Sequence, residues 1–302
     1  MKKRTKPEWL KAPIPCGERL FKLKRQLEMR GLSTICQSAR CPNMAECWQN
    51  GHATFLIMGD RCTRNCGFCA VGHKPPLPLD PGEKRQVGEM VELLRLKYAV
   101  ITSVTRDDLP DRGSSHFAEM IKYLKKSCPA LKIEVLIPDF DGRPELLDRM
   151  IDAGPDVLGH NIETIARLYP HVNRPSAFFD RSLALLRYIS ERGVISKTGL
   201  MVGLGETELD LEELFPQLAA AGVKLLTIGQ YLQPISGKVE VNRYYHPDEF
   251  EQLKQMALSS GIQGVVAGPF VRSSYHAETL YETAARQFRQ KSSRQEGHAC
   301  AI

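Results

Sequence analysis

No apolar run in the 302-residue chain approaches the roughly 18 residues that a membrane-spanning helix needs, and the longest, such as Ala53 to Met58, has strand length. The leading Met1-Lys2-Lys3-Arg4 is followed by no apolar h-region, and Pro7, Pro13 and Pro15 argue against an amphipathic targeting helix. The expectation is a cytoplasmic protein with no membrane partner. Internal repeats are absent and no low-complexity tract precedes the last dozen residues; the tail from about Lys291 is expected to be disordered. A nucleic-acid motif is missing too. Residues 1–30 carry ten Lys and Arg against three Glu, while the whole chain has a net charge of only +6, so the basic excess sits in this arm. With Trp9 and Phe21 as its only aromatics, the arm suits a solvated extension or an acidic protein partner better than nucleic acid.

Nine cysteines in a chain without an export signal point to a reducing compartment, where thiols serve metals or catalysis more often than disulfides. Six of them form two triplets, Cys36, Cys41, Cys47 and Cys62, Cys66, Cys69, and each triplet lacks a fourth ligand nearby. A structural zinc site closes with four ligands, whereas three thiolates leave one corner of a cubane iron–sulfur cluster open. The short spacing of Cys62-Thr-Arg-Asn-Cys66-Gly-Phe-Cys69 lets one loop wrap three corners, with Gly67 relieving the turn and Phe68 giving apolar cover. A zinc knuckle or a redox pair is the competing reading of this segment. The compactness of each triplet favours two separate 4Fe-4S clusters over shared sites. Cys128 reads as a packed or semi-exposed thiol, and Cys16 and Cys300 lie towards the chain ends.

Downstream, β-branched runs alternate with helical patterns, the signature of parallel βα units. Strands are expected at Thr54–Met58, Ala99–Val104, Lys132–Ile137, Val157–Asn161, Lys197–Val202 and Leu225–Tyr231. Helices are expected at Gln86–Leu96, Ser115–Lys126, Pro144–Ala153, Ser182–Arg192, Leu209–Ala221 and Pro247–Ser260, which makes six repeats. Polar residues cluster just after the strands, at Cys62 to Cys69, Thr105–Asp108, Pro138–Asp139, Asn161–Glu163, Gly203–Glu206 and Gln230–Pro234. In a parallel barrel these share the C-terminal face, where active sites sit; an open doubly wound sheet would also place them at strand ends. Asn161 and Glu163, two apart, suit ribose hydroxyls or an amine, or else a helix cap and a surface carboxylate.

The Cys62–Cys69 triplet at the end of the first long strand resembles the radical S-adenosylmethionine (SAM) superfamily, and Gly199-Leu-Met-Val-Gly203-Leu-Gly-Glu206 is similar to that superfamily's fifth-strand motif, with Met201 in place of the more usual isoleucine. The resemblance implies an α/β fold, a partial (β/α)6 TIM-like barrel. It also implies that SAM chelates the open iron and that an electron from the cluster cleaves it to a 5′-deoxyadenosyl radical able to attack an unactivated C–H bond. Thr102 and Ser103 stand where a Gly-Gly-Glu-like motif is often found. They join Asn161, Glu163, Gly199, Met201 and Gly203 as candidate SAM contacts, the glycines letting adenine lie against backbone. Arg174 and Lys197 are candidates for the SAM carboxylate by charge, or for structural roles.

The first triplet's spacing, together with Arg272-Ser-Ser-Tyr275, resembles the lipoyl synthase family. The likeness runs from Lys6-Pro-Glu-Trp-Leu10 through Ser103–Leu109 to Gly268–Ala277. By resemblance, Ser274 is the fourth ligand of an auxiliary cluster held by Cys36, Cys41 and Cys47; by composition Ser273 would serve equally. An alkoxide is a harder and less usual cluster ligand than a thiolate. The implied activity is insertion of two sulfur atoms at the sixth and eighth carbons of a protein-bound octanoyl-lysine, with the auxiliary cluster as sulfur donor. Implied partners are octanoylated lipoyl carrier domains (2-oxoacid dehydrogenase E2 subunits, glycine cleavage H protein), an electron donor such as flavodoxin or ferredoxin, and an iron–sulfur carrier. The implied division is a basic arm and auxiliary-cluster segment at 1–52, a barrel at 53–260 and a C-terminal extension at 261–302. Another radical SAM sulfur-inserting or methylthio-transferring enzyme, or a non-enzymatic iron–sulfur electron carrier, are the alternatives.

Overall fold

The computed structural model describes residues 5–11, 17–50 and 52–285. Cys16, Cys300, the Met1–Arg4 end of the basic arm and the tail from Lys291 lie outside the described residues. One sheet runs in chain order through β1 (Ser33–Thr34), β2 (Thr54–Ile57), β3 (Tyr98–Ser103), β4 (Lys132–Leu136), β5 (Val157–Gly159), β6 (Ile195–Val202), β7 (Leu225–Gln230) and β8 (Gly264–Gly268). Strands β2 to β8 are parallel neighbours, and β1 pairs antiparallel with β2. No pairing joins β8 to β1, so the barrel is open.

The six predicted strands are present to within two residues. Two strands were not predicted. β1 is too short to show a period, and β8 carries only Val265 and Val266 as β-branched residues between glycines. Both fall outside 53–260 yet belong to the same sheet.

The helices are α1 (Glu18–Met29), α2 (Ile35–Ser38), α3 (Met44–Gln49), α4 (Glu83–Leu93), α5 (Ser114–Ser127), α6 (Pro144–Asp152), α7 (Ala177–Glu191), α8 (Glu208–Ala220) and α9 (Pro247–Ser259), and residues 277–285 are also helical. Their starts follow local chemistry. Pro144 and Pro247 open α6 and α9 with a preset φ, and Thr207 and Asp210 form a reciprocal cap on α8. α7 begins five residues before the expected Ser182, after Pro175; Ser182 is interior and donates its hydroxyl to the Phe178 carbonyl. None of the described helices is long and apolar enough to cross a membrane.

Strand alternation divides the sheet's two faces. Phe55, Ile57, Ala99, Ile101, Ile133 and Val135 pack under α4 to α6, while Leu200, Val202, Leu226, Ile228 and Val265 pack under α8 and α9. The intervening residues line the concave side, which is more polar: Thr54, Thr102, Glu134, Lys197 and Thr227 are all buried there. The helical segment 277–285 closes part of this hollow as a floor, with Leu280 and Ala284 against Val157 and Leu225, and Ala277 against Tyr98 and Val100. That floor delivers residues 270–275 into the barrel.

Candidate functional site

The second cysteine triplet occupies the loop after β2, and other loops at the C-terminal end of the sheet hold it. Thr63 hydrogen-bonds the Thr105 carbonyl and the Asp107 carboxylate at 2.9 Å, and Gly67 N–H donates to Val172 O at 2.7 Å. Val239 N–H donates to Gly67 O, and Lys238 Nζ donates to the Cys66 carbonyl at 3.1 Å. Gly67 is therefore required by close approach rather than by a turn with positive φ: a Cβ would lie 2.8 Å from Val239 Cγ2 and 3.2 Å from Val172 backbone. Backbone N–H groups of Arg64 and Val71 point at the sulfurs of Cys62 and Cys69, each at 3.4 Å, a pattern that tunes cluster thiolates.

Arg64, between the first two cysteines, forms the tightest tether. Its guanidinium makes paired hydrogen bonds of 2.8–2.9 Å to both Asp107 and Asp139. Burial alone would raise the Asp139 carboxyl, but the Arg64 fork and charge outweigh it and hold the group down at about 2. Arg64, Asp107 and Asp139 were not singled out as site residues from sequence. Each lay inside a cluster that was noted, but their pairing across three loops leaves no mark on spacing.

The predicted SAM contacts divide into two groups. Asn161 follows β5 on the concave side, and its Nδ2 donates to Ser273 Oγ at 3.1 Å while its Oδ1, though buried, has no hydrogen-bond partner. Gly199 admits that side chain, since a Cβ there would sit 2.7 Å from Asn161 Oδ1. Glu163 holds a left-handed φ of 65° and bridges β6 through Met201 N–H, donated to the Glu163 carbonyl at 2.8 Å. Burial raises its carboxyl against the pull of Arg174, whose guanidinium lies over the Tyr169 ring at 4.9 Å. Asn161, Glu163, Gly199, Met201 and Arg174 thus surround one region beside Cys66, where Arg174 and Glu163 both act on the thiol.

The remaining candidates do not join that group. Lys197 is 3% exposed and pairs with Glu134 at 2.6 Å, which also accepts the Tyr98 hydroxyl, so its charge is consumed inside the barrel. Thr102 donates its hydroxyl to Leu136 O. Ser103 shares the helix-facing register of Ile101, with its buried hydroxyl unpartnered. Gly203, at φ 99°, lies against Gln230 and the Arg243 carbonyl, so protein rather than adenine fills the space its missing side chain leaves. Glu206 closes this turn by accepting N–H bonds from Gly203, Leu204 and Gly205.

The first triplet meets the C-terminal motif in a cavity of about 190 Å³ lined by Cys36, Cys41, Cys47, Ser274, Arg272 and Tyr98 among others. This exceeds many-fold the roughly 10–15 Å³ that one water needs. Thr34 caps α2, which carries Cys36, and α3 carries Cys47. Asn43 Nδ2 donates to Phe270 O at 2.6 Å and the Tyr275 hydroxyl to Glu46 at 3.1 Å, joining the two segments on both flanks of Ser274. The adjacent serines point apart: Ser273 meets Asn161, and Ser274 accepts a hydrogen bond from Thr54 at 2.8 Å beside the cavity. Burial and then repulsion from neighbouring cysteines push the Cys41 and Cys47 thiols up, Cys47 to about 12, so their thiolates call for a strongly cationic occupant.

Among the described residues no three His, Cys, Asp or Glu converge on a point suited to a single metal ion. Zinc draws all its sulfurs to about 2.3 Å from one centre, whereas a cubane takes one thiolate at each iron corner and spreads them.

Comparison with known proteins bears on both regions. Residues 56–218 match the radical SAM superfamily, and residues 1–41 match the N-terminal domain of lipoyl synthase of the radical SAM family. The lipoyl synthase of Parabacteroides distasonis is 51% identical over 273 residues, covering 90% of this chain and 97% of that protein. Among solved structures, the FeFe-hydrogenase maturase HydG from Carboxydothermus hydrogenoformans superposes with a TM-score of 0.58 at 13% identity, over 88% of this chain and 68% of that one. Streptococcus suis SuiB bound to S-adenosylmethionine gives 0.53 at 12% identity, over 74% and 51%. At such identities the structural likeness speaks for the fold, an incomplete βα barrel.

Proposed function

The chain belongs to the lipoyl synthase family of the radical SAM superfamily, and on that premise we propose that it inserts two sulfur atoms at the sixth and eighth carbons of a protein-bound octanoyl-lysine. The observation that carries this reading is the meeting of Cys36, Cys41 and Cys47 with Ser274, more than 220 residues downstream, around one cavity. An electron carrier would need neither that distant oxygen ligand nor a second triplet framed by polar strand ends.

Cys62, Cys66 and Cys69 hold a 4Fe-4S cluster with one corner free for SAM. Held there together, cluster and SAM would supply the one-electron chemistry needed to take hydrogen from an unactivated C–H bond. Arg64 and its two aspartates keep the loop in register over the barrel. Asn161, with a buried oxygen still lacking a partner, orients a polar group of SAM, and Arg174 faces an anionic one. Gly199 keeps that space open for Asn161.

The auxiliary cluster is a substrate, consumed as its sulfide forms C–S bonds, and Cys36, Cys41, Cys47 and Ser274 hold it. Asn161 and Ser273 lie between the two triplets and touch each other, so the radical source and the sulfur source share a wall.

The partners fit the surface charge. α1 buries Leu20, Leu23 and Leu27 and turns Phe21, Lys22 and Arg25 to solvent. This basic face receives an acidic octanoylated carrier domain such as an E2 lipoyl domain or the glycine cleavage H protein. A flavodoxin- or ferredoxin-like protein supplies electrons, and an iron–sulfur carrier rebuilds the spent cluster in a reducing cytoplasm.

The test is anaerobic incubation of the reconstituted chain with an octanoyl-lysine peptide, SAM and a reductant, followed by mass analysis. Stepwise gain of two sulfurs with 5′-deoxyadenosine release is expected. Deoxyadenosine without sulfur gain would overturn the assignment while leaving the radical SAM reading intact.

A further inference from the structure

The Thr54 hydroxyl donates to Ser274 Oγ at 2.8 Å, between residues 220 apart in sequence. Thr54 opens β2, is 6% exposed on the concave side and borders the same cavity as the first triplet. Its partner is the one oxygen in that ligand set. We propose that Thr54 is a positioning residue that sets how firmly Ser274 grips the sulfur-donating cluster, its hydrogen bond weakening the serine ligand so that it can leave during the reaction.

The proposal rests on Ser274 being a ligand of that cluster. A serine bound to iron is an alkoxide, a far stronger acceptor than a free hydroxyl, so the Thr54 hydrogen bond strengthens on ligation and draws electron density away from the metal. Release then breaks one Fe–O bond. Both electrons stay on oxygen, which takes a proton from solvent at the cavity mouth, and Thr54 remains in place to hold the freed hydroxyl. Movement of the whole segment is a poor alternative. Upstream the Phe270 carbonyl accepts from Asn43, downstream the Tyr275 side chain donates its hydroxyl to Glu46, and the Val271 carbonyl lies close over Gly229. Such a fixed frame leaves the strength of the Fe–O bond as the adjustable quantity, and Thr54 is the group that touches its oxygen.

The experiment uses the full chain with Cys62, Cys66 and Cys69 changed to Ala, reconstituted anaerobically so that only the donor cluster is present. A ferrous-iron chelator is added and bleaching of the cluster absorbance is followed. Thr54→Val is expected to slow iron loss about fivefold, the change one hydrogen bond of ordinary strength makes. Thr54→Ala should act in the same direction, and Thr54→Ser should restore the parent rate. An unchanged or faster rate in Thr54→Val and Thr54→Ala overturns the proposal. Ser274→Ala separates this from the ligand assignment: faster iron loss is expected, and a parental rate would overturn the assignment itself. In the Ser274→Ala background the Thr54 substitutions should have no effect; an undiminished effect there would show that Thr54 acts through another group and would also overturn the proposal.

Discussion

Arg64 shows how a single residue can fix a reactive loop. Its planar fork satisfies two carboxylates on separate strand-end loops, a geometry a lysine cannot reproduce. Arg64→Lys is expected to lower iron in the reconstituted chain from about eight towards about four per chain, since only one of two cubanes is then held firmly. Iron and sulfide assay checks this. Lys197 makes the opposite point. Read from charge it was a candidate for an anionic ligand, but a lysine on a concave face with Glu134 two strands away forms a buried pair instead. Lys197→Met is expected to destabilise the chain by roughly 3–5 kcal/mol, and adding Glu134→Leu to recover most of that, measured by denaturant unfolding of the cluster-free protein. His160 offers a pH test on the same material. Burial first, and then Arg174, lower it from 6.5 to about 4, so between those values the unfolded chain takes up a proton that the folded chain refuses. Its contribution is complete above about pH 6.5 and declines as pH falls to about 4. Replacing His160 with Gln should flatten that part of the stability profile. Ser273 and Ser274 mark the limit of reading single residues from sequence. Adjacent and identical, they acquire different partners only because the chain turns between them.

At the scale of elements, the βα alternation was legible because each strand buries one face under helices and carries β-branched residues to do so. β8 was not, since its flanking glycines read as turn residues and leave only Val265 and Val266 as β-branched residues. The 277–285 floor was equally hidden: its apolar residues are satisfied by strand starts far away in sequence. Gly229 exposes what this floor does. The Val271 carbonyl lies where a Gly229 side chain would go, so β7 can accept the serine-bearing turn only if it stays bare at that point. Gly229→Ala is therefore expected to push residues 270–275 out of place and empty the donor site. SAM cleavage by the second triplet should continue. The check is a pair of assays, deoxyadenosine release and sulfur transfer, and equal loss of both would argue for general misfolding instead.

In the whole molecule, one open barrel carries two cysteine triplets from a single short stretch of chain, one in the loop after β2 and one beside the cavity that Ser274 borders. Charge follows a similar division, with the basic excess gathered on the arm and α1. Changing Lys2, Lys3, Arg4, Lys6, Lys22 and Arg25 to neutral residues is expected to weaken carrier-domain binding at least tenfold at low salt and far less at high salt. A titration at two ionic strengths reads this, and unchanged affinity at low salt would contradict it. The central claim is that the first triplet and Ser274 hold the sulfur that ends in the product. Its most direct test is a single-turnover reaction of chain reconstituted with heavy-isotope sulfide, run in buffer containing light sulfide and read by mass analysis of the octanoyl-lysine peptide. Two heavy sulfur atoms in one product molecule are the predicted result; light sulfur, or none, would contradict the account.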